Sequence, residues 1–91
     1  MSLAGSGGFR AHGRRDVRAD LRGFGVTSAS VVTASLTEVT RPAGAPHDFP
    51  FLGAADMVVQ NIAPQDDGIV MFRCHIDWNS DLELRLSFII G

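Results

Sequence analysis

From Ile69 to Ile90 the chain alternates apolar and polar residues with a period of two, and no other feature limits its fold as tightly. In IVMFRCHIDW, Val70, Phe72, Cys74, Ile76 and Trp78 alternate with Met71, Arg73, His75 and Asp77. After Asn79-Ser80-Asp81 the pattern resumes, with Leu82, Leu84, Leu86, Phe88 and Ile90 against Glu83, Arg85, Ser87 and Ile89. Successive strand side chains point to opposite faces, so each run predicts a half-buried β-strand. A loop at 79–81 would pair Trp78 with Leu82, Ile76 with Leu84, Cys74 with Leu86 and Phe72 with Phe88, making a hairpin with one apolar face. The same register would gather Arg73, His75, Asp77, Glu83 and Arg85 on the polar face, where they could grip a sugar or another polar ligand. Met71 and Ile89, apolar on that charged face, predict a subunit interface.

The rest of the chain reads as β as well. Ala55–Ile62 is a short β-prone run closed by Pro64 and the Asp67-Gly68 turn, which predicts a third strand in a hairpin with 69–78. Met57 and Val59 would lie on one of its faces, Val58 and Ile62 on the other. Val26–Val39, rich in β-branched residues, predicts a strand with a bend near Ala29. The prolines of RPAGAPHDFPFLG predict a loop, with Phe49, Phe51 and Leu52 folded back as a lid on the core. Asp16–Phe24 fits a strand or a helix, and the strand agrees better with its surroundings. Met1–Gly8, Gly- and Ser-rich, reads as a disordered tail or expression scar, leaving 9–91 as a single β domain.

A chain of 91 residues has room for one core. At this size only roughly 60–65% of the unfolded surface is buried, so association between subunits is an expected aid to stability. Cys74 is the sole cysteine, which excludes an internal disulfide and points to a reducing compartment. His12, His47 and His75 lie in different segments, so neither a metal site nor a cofactor is expected. No apolar run approaches the ~20 residues of a membrane span, and no signal peptide is visible. The expectation is a soluble protein, cytoplasmic or released without such a signal, and without a membrane partner.

All eight basic residues are Arg, and Arg10, Arg14, Arg15, Arg18 and Arg22 crowd the first quarter opposite Asp16 and Asp20. Without lysine, interleaved aromatics or a reading motif, this arm argues for a solvated face or an inter-subunit contact over nucleic acid. The motifs GxSxG, GxGxxG, HExxH and the P-loop are missing, and Cys74 and His75, adjacent on a strand, point to opposite faces. The reading is therefore a non-enzyme, with Cys74 a small core residue. Trp78, beside a polar loop, could stack on a sugar ring, although its parity points it to the core. His47 and Asp48, in the proline-rich loop, also have the chemistry for a polar ligand.

With these strands placed, MVVQNIAPQDDGIVMFRCHIDW, a short polar turn and LELRLSFII resemble the C-terminal half of the H-type lectin domain, and ASVVTASL is similar to its first core strand. The resemblance covers about half the chain. It departs at Phe88, where the family's last strand carries Trp, and the Arg-rich front has no counterpart. It implies a six-stranded antiparallel sandwich assembling as a trimer or a pair of trimers, with N-acetylgalactosamine-like sugars bound at subunit contacts. By position, Trp78, with Arg73 and His75 nearby, matches the family's ligand region. The combined expectation is an all-β antiparallel sandwich of five or six strands. It would act as a homo-oligomeric, glycan-binding module, with Arg73, His75, Asp77, Trp78 and Arg85 at the ligand and Met71 and Ile89 at the interface. The alternative is a structural or protein-interaction module without a small ligand.

Overall fold

The alternation that dominates the sequence also organises the fold, which a computed structural model describes for residues 3–91. Seven strands form: β1 (Leu3–Ala11), β2 (Gly13–Asp20), β3 (Val32–Thr40), β4 (Phe49–Phe51), β5 (Asp56–Pro64), β6 (Ile69–Asp77) and β7 (Leu82–Ile90). They make two antiparallel sheets, a four-stranded one in the order β1-β7-β3-β4 and a three-stranded one in the order β2-β6-β5. The all-β sandwich expected from the sequence is thus present, with seven strands in place of five or six.

The two most regular strands are the centres of the two sheets. Val70, Phe72, Cys74 and Ile76 of β6 and Leu84, Leu86, Phe88 and Ile90 of β7 are all buried and form one cluster. The inward parity read from the sequence therefore holds for these eight residues. The expected hairpin does not. β6 pairs with β2 and β5, while β7 pairs with β1 and β3. Side by side in one sheet, the two apolar faces would both need a further cover; in opposed sheets each covers the other. Residues 78–81 simply carry the chain across the roughly 10 Å between sheets.

β5 pairs with β6, as expected, but with a register shift between Val59 and Asn61. The extra residue, Gln60, moves Ile62 opposite Phe72, onto the inward side with Met57 and Val59. The two-faced apolar strand of the sequence reading becomes a one-faced strand with a bulge. The bend near Ala29 is a turn, in which the Ser30 amide donates to the Thr27 carbonyl at 3.0 Å and the Thr27 amide to the Ser30 hydroxyl at 2.9 Å. β3 starts only beyond it.

Three further expectations are corrected. Residues 3–8 are not a tail but most of β1, held by backbone pairing from Leu3 opposite Ile90 to Ala11 opposite Leu82; Met1 and Ser2 lie outside the described residues. The strand in 16–24 stops at Asp20, and Arg22–Phe24 make one 3-10 turn ended by Gly25 at φ 71°. In the proline-rich loop Phe49–Phe51 pair with β3 at the sheet edge, where the N–H that Pro50 lacks is not needed. Phe49, Phe51 and Leu52 are exposed, so they form no lid on the core.

At the opposite border of the sandwich, β1 and β2 are the edge strands of the two sheets. Gly13, at φ 69°, lets the chain turn the corner from one to the other.

Candidate functional site

Because β6 and β7 belong to different sheets, the polar residues expected on one hairpin face are divided between the two outer surfaces. Arg73, His75 and Asp77, with Met71, face outward from the three-stranded sheet; Glu83, Arg85 and Ile89 face outward from the four-stranded one. No common site of all five ligand candidates exists, and Met71 and Ile89 do not share a face.

On the three-stranded sheet, Arg73 is opposite Asp16 and binds it through two hydrogen bonds, Nε to Oδ1 at 2.8 Å and Nη2 to Oδ2 at 3.1 Å. The Arg73 guanidinium holds the Asp16 carboxyl below its usual range. His75 is exposed between Arg14 and Val58, and Asp77 sits opposite Asp56. A recess of about 200 Å³ lies between Asp16, Asn61, Met71 and Arg73. On the other sheet Arg85 is half-buried, with Nη2 donating to the Asp48 carbonyl at 3.4 Å.

Trp78 is where the structure departs most usefully from the sequence. Its amide turns back to the Ile76 carbonyl at 2.9 Å, which ends β6 at Asp77 and takes the indole out of the inward series. Trp78 is 41% exposed and is not part of the core. In the same loop, the Asp81 carboxylate is 2.6 Å from Nδ1 of His12, at the β1–β2 corner. The hydrogen bond from His12 lowers the Asp81 pKa, and the charges of His12, Arg15 and Arg10 act in the same direction. Arg10 lies 3.6 Å from Glu83 alongside. The loop end of the sandwich thus joins an exposed indole, an ionised carboxylate and a histidine. Sequence reasoning missed His12 and Asp81 because they are 69 residues apart and no local pattern links them.

A cavity of about 400 Å³ is an apolar cleft between β1 and β2 that includes Gly5, Gly7, Phe9, Val17, Phe24 and Phe88. His47 packs against Phe49 with ring centres 4.4 Å apart and ring planes tilted by 44°, and its Nδ1 is 3.0 Å from the Asp48 carbonyl. Cys74 is buried, and burial raises its thiol pKa, with the Asp16 charge a smaller contribution. The described residues bring together no group of three His, Cys, Asp or Glu side chains that could hold a metal ion, and no helix is long and apolar enough to cross a membrane. No protein-family model, curated protein or solved structure matches the chain, so its function rests on the geometry of its own residues.

Proposed function

We propose that this protein is a carbohydrate-binding, lectin-like module that works as a symmetric oligomer and meets its sugar at the loop joining β6 to β7. The observation that carries this reading is the exposed indole of Trp78 beside Asn79, Ser80 and Asp81. An indole face covers the apolar C–H face of a pyranose, while the neighbouring carboxylate accepts hydrogen bonds from its hydroxyls. Asp81 suits that role because its lowered pKa keeps it ionised. His75 and Asp77 lie on the strand leading into the loop, whereas Arg85, on the other sheet, takes no part.

The test is a glycan array with the wild-type chain and with Trp78→Ala and Asp81→Asn. Retention of galactose-type glycans, reduced at least tenfold by Trp78→Ala in a folded protein, is the expected result; an array that stays empty with wild-type protein rejects the reading. A second reading, an interaction module without a small ligand, is favoured by the exposure of Val58 (52%) and Ile89 (51%) on the two outer faces.

A further inference from the structure

β2 is an edge strand, paired with β6 on one side and with nothing on the other among the described residues. Its sequence is GRRDVRAD, and the side chains on its outer face are Arg14, Asp16, Arg18 and Asp20, alternating in sign. Asp16 is engaged by Arg73 and Asp20 by Arg22, but among the described residues Arg14 and Arg18 have no ion-pair partner.

We infer that two copies of this chain associate through β2, antiparallel about a two-fold axis at Val17, to join their three-stranded sheets into one of six strands. In that register Arg14 stands opposite Asp20 of the partner subunit and Arg18 opposite Asp16 of the partner subunit. The two-fold repeats both pairs, so all four outer-face positions meet an opposite charge. The neighbouring registers that keep the faces aligned are repelled. Centring on Asp16 sets that residue against its own copy and Arg14 against Arg18. Centring on Arg18 sets that residue against its own copy and Asp16 against Asp20. Backbone hydrogen bonds along the open edge supply attraction, and the charges select the register.

The inner face agrees. Val17 meets its own copy, and Arg15 falls opposite Ala19 of the partner subunit, which leaves room for its aliphatic stem to run outward. The apolar cleft between β1 and β2 opens along the same border, where Val17 and Ala19 line it, so the partner strand would help to cover it. The second copy is favoured over an unrelated strand because only a strand of the sequence − + − + complements this edge, and β2 read backwards is such a strand.

This inference rests on the oligomeric part of the proposed function and is independent of sugar binding. Light scattering should give twice the chain mass for the wild type. Arg14→Asp/Arg18→Asp makes the face wholly acidic and Asp16→Arg/Asp20→Arg makes it wholly basic, so each alone should fall to the mass of one chain. An equimolar mixture should return to twice that mass. Wild-type amide exchange supplies a measurement free of folding defects: β2 amides should slow at least tenfold between dilute and concentrated protein. A wild-type mass of one chain at every concentration, an undiminished mass for Arg14→Asp/Arg18→Asp, or concentration-independent exchange in β2 would each overturn the inference. Failure of the sugar reading appears separately, as an empty array with the mass unchanged.

Discussion

Gly5 and Gly7 occupy equivalent inward positions on β1, opposite Phe88 and Leu86, yet they do different work. A Cβ on Gly5 would lie 2.6 Å from Cζ of Phe88. That ring cannot easily withdraw, because it is buried and packed edge-on against Phe24 and tilted against Phe72. At Gly7 a Cβ meets nothing within 4 Å, since the position faces the open cleft. Gly5→Ala should therefore destabilise the fold by about 1–3 kcal/mol through overpacking. Gly7→Ala should be neutral or stabilising by about 0.5–1 kcal/mol, through a smaller loss of backbone freedom. Denaturant unfolding of the pair checks this; equal losses would show that the Phe88 contact is not the cause. The sequence displays both glycines but gives no means of telling them apart, because the distinction depends on a ring that is distant along the chain.

Between elements, four exposed carboxylates bind local or cross-strand donors, and each has a lowered pKa. Asp16 joins β2 to β6 through Arg73, and Asp81 joins the β6–β7 loop to the β1–β2 corner through His12. Asp66 joins the β5–β6 turn to the Ser28 amide at 2.9 Å, and Asp20, bound by Arg22, is lowered to about 2. A carboxylate with a lower pKa in the folded chain stabilises it above the unfolded value, about 3.9, and that contribution disappears as pH falls through the folded value. Thermal unfolding should thus occur at progressively lower temperature from about pH 5 down to about pH 2, with small steps because every group is solvated. Asp16→Asn and Asp20→Asn together should flatten the profile; an unchanged slope would rule these pairs out as its source. β6 and β7 themselves were legible from alternation, whereas β1 and β4 were hidden, one in a glycine-rich stretch and one around Pro50. Both are edge strands, defined by a neighbour's backbone more than by their own side chains.

At the scale of the whole molecule, the sandwich has two outer faces and a border where β1 and β2 lie open. Met71 and Ile89 are on opposite outer faces, so no single interface of the kind expected from the hairpin can contain both. Association through β2 leaves each outside the contact. Met71→Asp and Ile89→Asp are accordingly expected to preserve the wild-type mass in light scattering. A fall in mass on Ile89→Asp would instead assign the outer face of the four-stranded sheet to an interface, as the reading without a small ligand holds. A chain this small has little core to spare, and joining two three-stranded sheets would add a shared border to it.

The sequence by itself determined that the chain is β and which side chains of β6 and β7 point inward. Period-two alternation is a local property, enforced by strand geometry whatever the strand pairs with. It also marked the acidic and basic residues of β2 and the polar loop after Trp78. The tertiary structure alone decided which strands are neighbours, since two one-sided apolar strands can lie side by side or face to face with the same parity. That choice sent Arg73 and Arg85 to opposite surfaces, brought His12 to Asp81 and released Trp78 from the core at the last residue of the pattern. Each of these outcomes depends on contacts between segments far apart in the chain, where local periodicity carries no information.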